Sequence, residues 1–332
     1  MTRGTIAAIA SLLATAGLGC DGRRPLRSVI SYIYASPGTG EIVGADPITG
    51  RTTALVTFPH DGTDTLGTLL FDGTTAYYAD QSLAATGLTT SSIRAIGLGG
   101  GTPNTLITGL DIIDQIAVDA DSIYFSDVST NTSSGVSFIG KAPRAGGAFV
   151  KLVDNIPGRA EGVAVGGGFA YWNDSMAGTV NRVSTAGGDP TVLATGQGVV
   201  YQLAADDSGV YWVDPGATFV DCGFPDGSIQ SVPTGSDAPV TVIGGLDNPT
   251  TVVVSAGTVT FTMLGPTDCS TPSDLPPGGA VVQAPLGGSP AAALASGLST
   301  PFNLFVRDGV VDYTTTSDFV TTPHAVSTAI GH

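Results

Sequence analysis

A set of four short apolar or aromatic segments recurs in phase along this chain, at intervals of about 40 to 52 residues, and such a period dictates architecture before local preference does. Each unit opens with an apolar run: Leu69-Leu70-Phe71-Asp72, Ile116-Ala117-Val118-Asp119, Val163-Ala164-Val165-Gly166, Leu203-Ala204-Ala205-Asp206, Val252-Val253-Val254-Ser255 and Leu304-Phe305-Val306-Arg307. Runs this short and continuous read as strands buried on both faces. An aromatic strand follows, as Tyr77-Tyr78-Ala79-Asp80, Tyr124-Phe125-Ser126-Asp127, Tyr171-Trp172-Asn173-Asp174 and Tyr211-Trp212-Val213-Asp214, decaying later to Val259-Thr260-Phe261-Thr262 and Val311-Asp312-Tyr313-Thr314. The third strand starts after a glycine (Gly178, Gly227) and ends in a glycine turn such as Gly146-Gly147 or Gly187-Gly188, which suits a hairpin needing positive φ.

Composition agrees with strands and turns. The 332 residues include 47 glycines and 21 prolines, yet 42% are hydrophobic, so there is apolar surface enough to offset chain entropy. Strong helix formers are scarce, with glutamate only at Glu41 and Glu161 and lysine only at Lys141 and Lys151. The net charge of −16 repels phosphate backbones and argues against nucleic-acid binding.

A lone four-stranded unit cannot bury both faces, so the units must pack against one another around an axis, as the blades of an all-β, four-stranded antiparallel β-propeller do. The Tyr-aromatic-x-Asp strand followed by Gly-x-Ile/Val-x-Arg and a glycine turn resembles the YWTD and related six- or seven-bladed extracellular propellers, over residues 28–332 as a single domain. That resemblance implies bracing roles for Tyr171, Trp172, Asp174, Tyr211, Trp212 and Asp214. Partial units at Tyr32 to Phe58 and Phe302 to Ile330 flank five whole ones, so seven blades are expected, with six blades and merged termini the alternative.

Residues 1–19 read as an export signal: Arg3 precedes an apolar run from Ile6 to Leu18, too short to span a bilayer. The run ends Ala16-Gly17-Leu18-Gly19-Cys20, which resembles a bacterial lipobox with Cys20 as the lipidated residue and 20–27 as a short tether, although Gly17 stands where leucine is usual. Ordinary cleavage after Ala14-Thr15-Ala16 is the other reading. A lipid-anchored envelope monomer, touching the membrane through its N-terminus alone, is the expectation. In an exported protein the remaining pair, Cys222 and Cys269, suggests a disulfide, both lying after the second strand of neighbouring units.

In an antiparallel meander the connection entering the first strand and the one between strands two and three share a face. Binding residues favour such variable loops. The polar residues just before each inner strand would ring the channel mouth, giving Asp114, Gln115, Glu161, Tyr201, Gln202 and Asn303 as candidate ligand-binding positions, with Thr68, Thr250 and Thr251 beside them. Two functions are compatible with that ring. One is a non-catalytic module, without cofactor, recognising a protein or glycan of the cell envelope. The other is a hydrolase resembling lactonase-type propellers, with Ca2+ or another divalent cation held by Asp114, Glu161 and Asn303. The three histidines (His60, His324, His332) fall away from the inner-strand starts, and no Gly-x-Ser-x-Gly elbow supports serine chemistry.

Overall fold

The computed structural model describes residues 32–36, 40–46, 49–58, 64–83, 89–128, 136–198, 200, 202–216, 226–265, 278–286, 290–317 and 320–327. Within them the chain forms seven antiparallel sheets. Blade 1 holds β1 (Tyr32–Ser36), β2 (Glu41–Asp46) and β3 (Arg51–Thr57), and blade 2 holds β4 (Asp64–Phe71), β5 (Thr75–Leu83), β6 (Thr89–Gly97) and β7 (Asn104–Leu110). Blade 3 comprises β8 (Ile112–Val118), β9 (Ser122–Val128), β10 (Ser137–Pro143) and β11 (Val150–Ile156). Blade 4 comprises β12 (Ala160–Gly166), β13 (Phe169–Asp174), β14 (Thr179–Ser184) and β15 (Thr191–Ala194). Blade 5 follows with β16 (Leu203–Asp206), β17 (Gly209–Asp214), β18 (Gly227–Pro233) and β19 (Val240–Leu246). Blade 6 has β20 (Pro249–Ser255), β21 (Thr258–Met263), β22 (Gly279–Pro285) and β23 (Ala292–Leu298), and blade 7 has β24 (Pro301–Arg307), β25 (Val310–Ser317) and β26 (Val320–Ser327). The molecule is a seven-bladed β-propeller whose first and last blades have three described strands each.

Because each sheet is apolar on both faces, the core is divided among the seams between blades. Phe125 and Ile116 pack with Leu106 and Leu110 across blades 2 and 3, Trp172 with Tyr124 and Ile139 across 3 and 4, and Trp212 with Tyr171 and Leu193 across 4 and 5. The aromatic strand thus supplies the large residues that its position in each repeat announces: Tyr171, Trp172, Tyr211 and Trp212 are all buried.

The motif aspartates brace loops. Asp174 Oδ1 accepts the backbone N–H groups of Arg159, Met176 and Ala177 at 3.0 to 3.2 Å, tying the connection that enters blade 4 to its own second turn. Gly158 is bare for that reason, since a Cβ there would collide with the Asp174 carboxylate. Asp127 Oδ2 accepts the Asp111 N–H at 3.0 Å, and Asp214 Oδ1 that of Gly216 at 3.0 Å.

Blade 1 starts out of phase with the others. Its β1, Tyr32-Ile33-Tyr34-Ala35, is of the aromatic second-strand type, yet it occupies the innermost place and lines the axis. Among the described residues no sheet is shared between the two ends of the chain, and side chains join the first and last blades. Asn303 Nδ2 donates to the Ala35 carbonyl at 3.3 Å, the Tyr32 hydroxyl donates to the Asn303 carbonyl, and Phe305 packs on Tyr32 and Phe71 with centroids 6.4 and 4.8 Å away.

A close backbone approach between blades fixes one glycine. A Cβ on Gly166 would sit 2.6 to 2.7 Å from backbone N, Cα and O of Asp206 in the next blade, so no side-chain rotation relieves it. Gly166→Ala is expected to cost about 2 kcal/mol by forcing blades 4 and 5 apart. Gly168→Ala, which meets nothing within 4 Å but has φ +81°, should cost only about 1 kcal/mol. Equal urea midpoints for the two variants would remove the backbone contact as the cause.

Candidate functional site at the channel mouth

Of the polar residues expected just ahead of the inner strands, Gln202 does precede its strand, β16, whereas Thr68, Asp114, Gln115, Glu161, Thr250, Thr251 and Asn303 lie inside theirs. In blades 2, 3, 4, 6 and 7 the pairing of first and second strands shifts register, between Leu66 and Leu69, Ile113 and Ile116, Ala160 and Val163, Pro249 and Thr251, and Phe302 and Phe305. These bulges contain Thr68, Asp114, Gln115, Glu161, Thr250 and Asn303. A bulge leaves residues unpaired and turns their side chains out of the alternation, so hydropathy loses the first turn of each strand. Asn303 takes φ 51°, a left-handed conformation that asparagine tolerates better than most residues.

Three of the candidates use their amides to join blades. Gln115 Oε1 accepts the Val163 N–H of blade 4 at 2.9 Å, and Gln202 Oε1 accepts the Val252 N–H of blade 6 at 3.0 Å. Asn303 Nδ2 donates to Thr314 Oγ1 at 3.0 Å as well as to Ala35 at the ring seam. Further bonds reinforce the pattern: Gln81 Nε2 donates to the Ile113 carbonyl at 3.0 Å, and Ser126 Oγ donates to the Glu161 carbonyl at 3.1 Å. Those to Val163, Val252, Ala35, Ile113 and Glu161 satisfy backbone groups at the seams between blades. Tyr201 lies outside the described residues, as do Cys20, Cys222 and Cys269.

Asp114 and Glu161 come together around a residue that the repeat pattern does not mark, Arg159. Its Nε lies 2.9 Å from Glu161 Oε1 and its Nη2 3.9 Å from Asp114 Oδ1, and half of its side chain is exposed. Burial, with the Glu161 charge adding to it, pushes the Asp114 carboxyl up to about 6, while Arg159 works against the rise. An arginine two residues from a glutamate, in a chain with only 12 basic residues, was the available sequence signal. The cluster presents both signs of charge, with one carboxyl that changes protonation just below neutral pH.

Beneath the mouth, inner strands of all seven blades enclose an axial cavity of about 450 Å³, walled by aliphatic residues such as Ile116, Val163 and Val252, with Gln115, Gln202 and Asn303 at one end. The residues proposed for a divalent cation do not fit one. A cage of hard oxygens is expected, but Arg159 already supplies the cation between Asp114 and Glu161, and Asn303 is held at the ring seam. Among the described residues no three His, Cys, Asp or Glu side chains are grouped for a metal. His324, the described histidine, stacks on Tyr313 and shares a 2.9 Å hydrogen bond with Thr315 Oγ1.

No protein-family model matches the chain, and no curated protein matches its sequence. Solved structures do match its fold. A chain of a nidogen/laminin complex aligns with a TM-score of 0.52 at 20% identity, over 77% of this chain and 89% of that one. A puromycin-hydrolysing peptidase from Mycobacterium tuberculosis aligns at 0.58 and 14% identity over 85% of this chain, which spans about half (48%) of the peptidase. TolB from Acinetobacter baumannii aligns at 0.51 and 12% identity, over 78% of this chain and 65% of that one. At these identities the likeness is one of fold, and a propeller fold hosts many functions.

Proposed function

We propose that this propeller is an exported, non-catalytic binding module, tethered to a membrane through lipid on Cys20, that recognises a protein or glycan of the cell envelope with the face around its channel mouth. The observation that carries the reading is the unequal treatment of the two faces. On the mouth face the connections between second and third strands run from two residues in blade 7 to fifteen between Met263 and Gly279. On the opposite face the first hairpin turns are two or three residues long in blades 2 to 7, the β2–β3 turn of blade 1 has four, and the β6–β7, β10–β11, β14–β15, β18–β19 and β22–β23 turns are six each. Uniform turns serve the scaffold, whereas connections of varied length are where binding surfaces are built. The nidogen/laminin chain and TolB offer the same fold in non-peptidase settings, which is consistent with a recognition role.

Arg159 is half-exposed on this face and Glu161 less so, beside Asp114. The test is affinity capture from envelope extract with immobilised residues 28–332, run beside an Arg159→Ala/Glu161→Ala variant. Capture that the double variant loses at least tenfold, with its melting temperature within about 2 °C of the parent, is expected. Capture insensitive to that variant but abolished by changes in the six-residue turns would place the contact on the other face. Cys20→Ser should move the protein from the membrane to the soluble fraction, and retention would remove the anchor from the proposal.

A further inference from the structure

The direction of β1 decides the face from which the N-terminal tether leaves the disc. The Phe58 N–H, just past β3, donates to the Gly40 carbonyl at 2.9 Å, so β2 begins where β3 ends, at the entry to β4 and therefore at the mouth. β1 pairs antiparallel with β2 and so runs towards the mouth. Its two ends agree. The Ala35 carbonyl receives the Asn303 amide at the mouth, whereas Tyr32 packs on Phe71, the last residue of β4, next to the hairpin turns. The chain therefore enters β1 on the hairpin-turn face, in an innermost strand that lines the axis.

The basic residues are divided in the same sense. Arg51, Lys141, Arg144, Lys151, Arg182 and Arg307 all lie in the hairpin-turn halves of their strands or just beyond them. Among the described residues Arg159 is the one basic side chain at the mouth, against Glu41, Asp64, Asp111, Asp114, Glu161 and Asp247. The mouth half of the disc is thus strongly negative, while in the other half Asp72 and Asp237 are met by Arg144 and Arg182. An anionic lipid surface repels the first half more than the second, and it attracts Arg23, Arg24 and Arg27 of the tether.

We propose that the propeller stands on its membrane with the hairpin-turn face against anionic phospholipid headgroups and the channel mouth turned to the aqueous side. The proposal rests on the Cys20 anchor and adds the orientation which that anchor imposes. Residues 20–31 reach at most about 40 Å when fully extended. To bring the mouth to the bilayer they would have to pass outwards across blade 1, about 15 Å with its side chains, and then along the length of a strand, roughly 23 Å for seven residues. Nothing would remain for the loops that project from the mouth. The partner of the mouth therefore approaches from the aqueous compartment, and a segment embedded in the same leaflet is excluded.

The test needs no substitution in the propeller. Full-length protein isolated from membranes is reconstituted in vesicles of phosphatidylcholine and phosphatidylglycerol that include a lipid with a photoreactive diazirine on its headgroup, and adducts are mapped by mass spectrometry after illumination. Adducts should concentrate in the β10–β11, β14–β15 and β18–β19 turns and spare the connections on either side of β12 and β20 at the mouth. Protein that floats with the vesicles but carries its adducts at the mouth, equally on both faces, or on neither, overturns the orientation and leaves the anchor standing. Protein that does not float with the vesicles, as expected of Cys20→Ser, overturns the anchor, and the orientation falls with it.

Discussion

Raising the pH from 4.5 to 7.5 should destabilise this protein by roughly 4 kcal/mol, through two buried aspartates that the fold keeps from ionising. Asp312 is 1% exposed; burial pushes its carboxyl up to about 6, against a modest pull from Arg307, whose Nε is 3.9 Å away. Asp127 is 2% exposed and is also pushed up to about 6, by burial first, with the Asp111 N–H bond opposing and the Asp111 charge adding. One oxygen of each carboxyl, Oδ2 of Asp312 and Oδ1 of Asp127, has no hydrogen bond. Both folded values stand above the ordinary 3.8, so the folded state holds these protons more tightly than the unfolded chain. Their contribution is therefore complete below about pH 4 and is lost as pH rises through about 6. Asp114 acts in the same direction, more weakly because it is one-third exposed. Asp119 acts in the opposite one: hydrogen bonds from Tyr124 and the Asp121 and Ser122 N–H groups outweigh burial and hold it below 3.8, so its share disappears only in stronger acid. Urea midpoints at pH 4.5 and 7.5 and constant ionic strength check the sign. Asp312→Asn should gain about 2 kcal/mol at pH 7.5 and almost nothing at pH 4.5. A protein that is more stable at pH 7.5, with or without that change, would contradict the argument.

The seven blades were legible because the aromatic strand carries its own signature: a large ring bound for a seam, then an aspartate whose carboxylate ties the neighbouring turn. Tyr171-Trp172-Asn173-Asp174 shows both functions in four residues. The starts of the inner strands were not legible, since Asp114, Glu161 and Asn303 are polar residues on strand backbone, and a bulge gives no hydropathy alternation to read. Blade 1 shows a similar limit. Its three strands could be counted, but that β1 is a second-strand segment in the innermost place follows only from its contacts with Phe305, Phe71 and Asn303. At the mouth, register put Gln115, Gln202 and Asn303 on one ring; it carried no information that their amides bridge blades, because the backbone groups they satisfy lie about 48 to 270 residues away in sequence.

Trp212→Ala is expected to cost about 4 kcal/mol, which ranks it among the most damaging single changes to the scaffold. The indole is fully buried at the seam of blades 4 and 5, packed with Tyr171, Leu193 and Leu203, and three of its neighbours come from the preceding blade or the inner strand, so no single segment can collapse into the space. The repeat also says how the loss divides between volume and hydrogen bonding. Trp212→Phe keeps most of the ring but strands Gln197 Oε1, and should cost about 2 kcal/mol. Adding Gln197→Leu recreates the Leu110–Phe125 and Leu246–Phe261 pairs of the same molecule and should recover about 1 kcal/mol of that. At Trp172 the order reverses. Its Nε1 has no acceptor to lose, so Trp172→Phe should cost less than Trp212→Phe, and Ile156→Gln should stabilise the protein by about 1 kcal/mol. A double-mutant cycle on urea midpoints at unchanged m value measures the four steps directly. Equal costs for the two phenylalanine variants would mean that the Gln197 bond contributes nothing and that ring volume alone sets the stability of these seams.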